Sequence, residues 1–206
     1  MAAVSIMAAQ AGSPPADISA LLHRIEARYN HARSLKLTFS EVYSTSRRPP
    51  QSESGTLYLR KPGRMRWEYA APAGKVFLSD GKQTWLYTPE DGRVEKAKLR
   101  ETDDMRAPLA FLLGKLDFAR DFRSFESRPE GDAIWVTANP KSQNLAYTRV
   151  EFLAAADGAI RRVRVTGQDQ SKLDFTFTGE QMNAPVAAAL FVFHAPPGAE
   201  IVEAEQ

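Results

Sequence analysis

The stretch from Arg64 to Tyr69 alternates without exception between charged and apolar side chains. Met65, Trp67 and Tyr69 are apolar or aromatic, and each residue next to them on the N-terminal side is charged. Successive side chains of a β-strand face opposite sides of the sheet, so this pattern predicts a strand with one apolar face and one charged face. Any fold of this chain must therefore shield the apolar face from water.

Similar short segments occur along most of the chain, separated by turn signals. Tight turns are predicted at Asp80-Gly81 and Asp157-Gly158, and breaks at Pro62-Gly63 and from Pro72 to Gly74. Together these segments predict an α+β fold that is mainly antiparallel β, with about ten to eleven strands in a long meander.

Two parts of the chain have helical periodicity instead. Apolar residues recur at helical spacing from Ile18 to Tyr29, which predicts an amphipathic helix of about four turns. A second helical segment is predicted from Met105 to Leu116, with Thr102 as a possible cap. Pro108 suits a first-turn position, so two short helices are favoured over one long helix.

A sheet of this size must curl, and its apolar side is wider than a few short helices can fill. The sequence therefore predicts a cavity on the concave face. The residues predicted to line it are Leu57, Leu59, Met65, Trp67, Tyr69, Trp85 and Tyr87, with Phe111 and Leu112 from the helical segment.

Composition limits the remaining possibilities. The chain has 206 residues, 43% of them hydrophobic, with a net charge of +2 and no cysteine. It can form one domain with a substantial core, and disulfides and thiolate metal sites are excluded. Residues 1–11 are small and apolar and end in Ala9-Gln10-Ala11, which indicates the remnant of a secretory signal before a single domain at 12–206. A disordered alanine-rich tail is the alternative.

At this point the chain resembles the LolA-type periplasmic carriers of outer-membrane lipoproteins, over essentially residues 16–203. The resemblance rests on these motifs: Arg60-Lys-Pro-Gly-Arg-Met-Arg-Trp-Glu-Tyr69, Leu78-Ser-Asp-Gly-Lys82, Trp85-Leu-Tyr-Thr-Pro89, Pro108-Leu-Ala-Phe-Leu-Leu113 and Phe193-x-x-Pro-Pro-Gly198. It implies a strongly curved, unclosed β-barrel with a helical lid over its apolar concave face. It also implies a monomeric periplasmic protein that takes acylated lipoproteins from an inner-membrane ABC transporter to an outer-membrane acceptor.

Lys61 departs from the pattern of this family, in which an arginine precedes the proline and its bonds to the lid backbone hold the closed form. The resemblance implies that Lys61 controls the lid. A lysine lacks the planar fork of arginine, so we expect fewer simultaneous bonds and a looser lid. A surface lysine that snorkels into solvent is the alternative reading of the same residue.

The sequence is also compatible with function classes other than a carrier. A lipid- or lipoprotein-sensing domain on the same scaffold, and a carrier of another lipid, stay open as alternatives. Nucleic-acid binding is disfavoured because Arg64 and Arg66 face away from the aromatic side chains. The histidines lack metal-ligand spacing, and Ser79-Asp80 is explained by a turn, so we expect no catalytic residue, metal or cofactor.

Overall fold

The computed structural model describes residues 18–98 and 116–203. The helices in these residues are α1 (Ile18–His31), α2 (Phe118–Asp121) and a 3₁₀ helix at Ala188–Phe191. The strands are β1 (Ser34–Ser44), β2 (Gln51–Arg60), β3 (Arg64–Ala71), β4 (Val76–Ser79), β5 (Gln83–Thr88), β6 (Arg93–Lys98), β7 (Phe122–Glu130), β8 (Ala133–Pro140), β9 (Tyr147–Ala155), β10 (Ile160–Gly167), β11 (Lys172–Met182) and β12 (Glu200–Glu203).

All these strands belong to one 12-stranded sheet, with the order β12-β6-β5-β4-β3-β2-β1-β11-β10-β9-β8-β7. Neighbouring strands pair antiparallel except for β12, which runs parallel to β6. The order ends at β12 on one side and at β7 on the other, so the sheet does not close. The predicted unclosed, mainly antiparallel fold is confirmed, with slightly more strands than the ten to eleven expected.

The sheet is strongly curved. Trp67 on β3 and Phe175 on β11 are separated by two intervening strands, which would place them about 14 Å apart on a flat sheet. Their ring centroids are only 5.5 Å apart. Such an approach requires the sheet to bend around this face, which we call the inner face. Side chains from α1 and from both halves of the sheet form one buried cluster there.

Helix α1 has the predicted apolar stripe, because Leu21, Leu22, Ile25 and Tyr29 are all buried. Within the described residues, no helix is both long and apolar enough to cross a membrane. The residues of the second predicted helical segment lie outside the described part of the chain, except Leu116. That residue is not helical, which corrects the prediction at its end.

The two predicted tight turns are confirmed. At the first, the Asp80 carboxylate accepts hydrogen bonds from the backbone N–H groups of Lys82 and Gln83, at 2.7 and 2.8 Å. This contact accounts for Asp80 as a turn residue. At the second, Gly158 has φ +84, and an added Cβ would lie 3.0 Å from the backbone of Arg24 on α1. Glycine therefore lets this hairpin pack directly against the helix.

Candidate functional site

Five of the predicted cavity residues form a continuous wall on the inner face. Leu57 pairs with Trp67, and Leu59 pairs with Met65, across the β2–β3 ladder. Directly opposite residues in an antiparallel pair share a face, so the alternation in β3 fixes the orientation of β2 as well. The members of this inner wall are Leu57, Leu59, Met65, Trp67 and Tyr69, and each is at most 5% exposed.

Aromatic rings from β1 extend the inner wall. Phe39 meets Trp67 and Tyr69 edge to face, with centroid distances of 4.7 and 5.2 Å. Gly55 lies between Phe39 and Tyr69 in the pairing register, and an added Cβ there would come within 2.0 Å of the Glu68 carbonyl oxygen. Glycine allows the two rings to meet over a close backbone approach.

Trp85 and Tyr87 lie on the opposite face, which corrects their predicted place in the cavity. The β3–β4–β5 register aligns Trp67 with Phe77 and Phe77 with Leu86, so Leu86 is the residue of β5 that faces inward. Trp85 instead stacks on Phe193, with centroids 5.8 Å apart and ring planes 5° apart. The segment that leads to β12 thus covers Trp85 from outside.

The last two predicted cavity residues, Phe111 and Leu112, belong to the predicted lid and lie outside the described residues. The structure adds two residues that the sequence does not predict for the cavity: Phe77 belongs to the inner-face cluster, and Leu86 packs against it. Propagating the pairing register from Trp67 through the short β4 strand would have identified them.

A charged group bounds the inner wall next to Tyr69. Glu41 on β1 lies directly opposite Glu53 on β2, and Glu41 is only 2% exposed. Lys75 donates to a carboxylate oxygen of Glu53 at 2.6 Å, and its ammonium lies 4.5 Å from the centre of the Tyr69 ring. The apolar inner wall therefore ends at a set of charged side chains.

Helix α1 is attached to the sheet by polar contacts near its C-terminal end. The Tyr29 hydroxyl donates to Glu180 at 2.8 Å and accepts the backbone N–H of Ile160 at 2.9 Å. Arg28 donates to the other oxygen of Glu180. Burial and the nearby Glu180 carboxylate raise the pKa of Tyr29 above its ordinary value, so this hydroxyl keeps its proton.

Tyr29→Phe should lower the free energy of unfolding by about 1–3 kcal/mol, because the backbone N–H of Ile160 and one oxygen of Glu180 both lose their bond to the hydroxyl. Urea unfolding of the purified variant measures this change. Tyr58→Phe is the matched control, since Tyr58 lies on the other face of β2, and it should cost less than about 0.5 kcal/mol. Equal stability of the two variants would show that the Tyr29 hydroxyl does not hold α1.

Lys61 makes the second attachment of α1. Its ammonium donates to the carbonyl oxygens of Tyr29 at 3.0 Å and of Asn30 at 2.7 Å. One lysine therefore bonds two carbonyls in the last turn of α1 at once. Cations are favoured at this end of a helix because the unpaired carbonyls and the dipole are negative there. Burial lowers the pKa of Lys61 below its ordinary value.

Asn30 links this contact to the chain that follows β6. Its side chain accepts the backbone N–H of Leu116 at 2.6 Å and donates to the carbonyl of the same residue at 2.8 Å. These bonds occupy both backbone groups of Leu116, which explains why it is not helical. Glu26 also accepts the N–H of Phe118 at 2.8 Å. Helix α1 thus holds the start of the second described segment.

Three arginines of β10 are engaged in ion pairs. Arg161 pairs with Asp132 at 2.7 Å, and Arg162 pairs with Asp174 at 3.1 Å. Arg164 also pairs with Asp174. These carboxylates offset the positive charge on which nucleic-acid binding would depend.

The chain is similar to proteins of one family along most of its length. The family model described as outer membrane lipoprotein carrier protein LolA matches residues 30–194. An outer-membrane lipoprotein carrier protein from Dechloromonas aromatica (strain RCB) is 30% identical over 173 residues, covering 84% of this chain and 82% of that protein. A protein of the same name from Pseudomonas aeruginosa (strain UCBPP-PA14) is 24% identical over 203 residues, covering 97% and 96%.

A solved structure shares the fold. An uncharacterized conserved protein from Thermus thermophilus superposes with a TM-score of 0.53 at 14% sequence identity, covering 91% of this chain and 99% of that chain. At this identity the likeness concerns the fold alone. The family match spans the inner wall, Lys61 and most of the sheet. The chain belongs to the family of the outer membrane lipoprotein carrier protein LolA.

Proposed function

We propose that this protein is a monomeric periplasmic carrier that holds the acyl chains of lipoproteins between its inner wall and its helices. In this proposal it receives lipoproteins from an inner-membrane ABC transporter and delivers them to an outer-membrane acceptor. The names of its relatives support lipoprotein cargo. The task is non-covalent and needs neither a catalytic residue nor a cofactor.

The observation that carries the proposal is an apolar wall that shares one buried cluster with α1, a helix that polar contacts hold in place. Exposing an acyl chain to water costs about 0.8 kcal/mol per CH₂, so a lipoprotein with several chains needs a carrier with an apolar binding surface to cross water. The inner wall and the buried stripe of α1 offer such surface. Because they belong to the same buried cluster, the side chains of α1 would compete with cargo for this apolar interior.

This competition makes loading reversible. Burying the four apolar side chains of α1 contributes roughly 1.5–3 kcal/mol each before entropy is subtracted. Cargo that displaces them regains a comparable amount of apolar contact. A carrier with nearly balanced states can accept cargo and also release it. Lys61 is placed to set this balance, because it holds the C-terminal end of α1.

Native mass spectrometry of the protein isolated from the periplasm tests the proposal. We expect a one-to-one complex, and we expect the molecule that dissociates from it in the spectrometer to have the mass of an acylated lipoprotein. The matched comparison uses a synthetic N-terminal lipoprotein peptide with and without its acyl chains, and only the acylated peptide should bind. Recovery of phospholipid alone, or equal binding of both peptides, would contradict a lipoprotein carrier.

A further inference from the structure

The indole N–H of Trp67 has no hydrogen-bond acceptor among the residues that the structure describes. Trp67 is 0% exposed, so solvent does not reach it from outside. Trp135, the other deeply buried tryptophan of this part of the chain, differs, because its indole N–H donates to Glu130 at 2.7 Å. A buried donor without a partner is uncommon in native proteins and calls for an explanation.

The side chains that pack directly against Trp67 supply no acceptor. Phe39 and Phe175 contact its ring, and Leu57 and Phe77 are its cross-strand partners. All four side chains are hydrocarbon. A phenylalanine would fill an apolar wall without this donor, which costs about 1–3 kcal/mol when it is left unpaired. The tryptophan therefore carries a polar group that packing alone does not use.

We infer that Trp67 is a positioning contact for cargo, and that its indole N–H donates to the carbonyl oxygen of an acyl group. This inference rests on the proposed function. The methylenes of a fatty chain offer no acceptor, whereas the ester or amide that joins the chain to its head group offers a carbonyl. A hydrogen bond to that oxygen pairs the buried donor when cargo enters. It also fixes how deep the chain lies.

The contact gives the carrier a preference among apolar ligands. Hydrophobic burial is non-directional and depends only on the area removed from water. A donor inside an apolar wall adds direction, because a ligand without a matching acceptor leaves it unpaired. Trp67 would thereby favour acylated cargo over ether-linked or purely hydrocarbon lipids of the same length.

Three synthetic lipopeptides with the same peptide and the same chain length test this inference. The first is a diacylglyceryl-cysteine peptide with two ester-linked palmitoyl chains. The second is its dihexadecyl diether analogue. The third is that diether with an added N-palmitoyl amide. We expect the wild-type protein to bind the diester about fivefold to tenfold more tightly than the diether, the range of one net hydrogen bond.

Two readouts keep the result independent of folding. In ¹H–¹⁵N spectra of the wild-type protein, the Trp67 indole proton should move downfield with the diester and not with the diether. Trp67→Phe removes the N–H and keeps a ring, so it should bind both ligands equally. Trp135→Phe is the matched control and should keep the diester preference, because Trp135 already has a protein partner.

The outcomes separate the inference from the proposed function. A shift with the diester, or with the N-palmitoyl diether alone, supports the inference and identifies the ester or the amide as the acceptor. Equal affinity for diester and diether, with no shift of the indole proton for any of the three lipopeptides, would overturn it, and the carrier role would stand. If none of the three lipopeptides binds, the proposed function itself fails.

Discussion

Replacing Met65 with glutamate is expected to weaken binding of an acylated lipopeptide by on the order of a hundredfold or more, while the sheet stays folded. Met65 is 4% exposed and lies between Leu59 and Ser79 on the inner face. A carboxylate there loses its hydration and gains no partner, which costs several kcal/mol, and each 1.4 kcal/mol is about tenfold in affinity. Fluorescence titration with the acylated peptide measures the loss.

The variant should become more stable relative to wild type as the pH falls. Burial in an apolar wall raises the pKa of the introduced carboxyl above its ordinary value of about 4.3, because the charged form is disfavoured. The folded state then binds the proton more tightly than the unfolded state. The destabilisation is therefore complete at neutral pH and shrinks as the pH falls through the raised pKa. Urea unfolding at several pH values checks the sign.

Two control variants separate charge from shape. Met65→Leu keeps an apolar side chain of similar volume and should retain binding. Tyr58→Glu adds the same charge to the opposite face of β2, across from Lys36 and Arg66, and should also retain binding. If folded Met65→Glu protein still bound the acylated peptide like wild type, the inner wall would not be the binding surface.

The inner wall is the part of the site that the sequence predicts best. Strict alternation places Met65, Trp67 and Tyr69 on one face of β3. The short β2–β3 hairpin sets the pairing register, which places Leu57 and Leu59 on the same face. No distant residue is needed for this step. The helical spacing of apolar residues likewise predicts α1, and the Asp-Gly pairs predict both tight turns. Each of these features depends only on residues that are close together in the chain.

The face of β5 could not be predicted in the same way. Trp85 and Tyr87 flank Leu86, so the strand has large apolar side chains on both of its faces. The pairing register through β4 determines that Leu86 is the side chain of β5 that faces inward. Phe193, which lies far along the chain, covers Trp85 on the other face. Local hydrophobicity cannot distinguish a residue that is covered from inside from one that is covered from outside.

The contacts that hold α1 were also beyond sequence analysis. Tyr29 and Glu180 are 151 positions apart, and neither lies in a recognisable motif. A β-bulge in the pairing of β1 with β11 shifts the register between Lys36 and Thr38. Partner identity in such cases depends on the assembled sheet. The sequence supplies the donors and acceptors, and the fold decides which of them meet.

Lys61→Met is expected to free the C-terminal end of α1 while leaving the sheet intact. The variant keeps an apolar stem of similar length and loses both bonds from the ammonium to the carbonyls of Tyr29 and Asn30. Hydrogen bonds from a charged donor are worth about 1.5–3 kcal/mol each, so the loss of two should raise opening at this end by about a hundredfold or more. Hydrogen exchange of the backbone amides at residues 26–31 measures this change.

Loading should follow the same order as helix release. Stopped-flow fluorescence with the acylated peptide should give faster association for Lys61→Met than for wild type, and slower association for Lys61→Arg, whose planar fork can bond several carbonyls at once. Lys36→Met is the matched control, because Lys36 lies on the opposite face beside Tyr58 and should change neither rate. Unchanged exchange at residues 26–31 in Lys61→Met would mean that Lys61 does not hold α1 and that contacts such as Tyr29–Glu180 hold it instead. The balance between closed and loaded states would then be set at Glu180, and Tyr29→Phe would be the variant that loads faster.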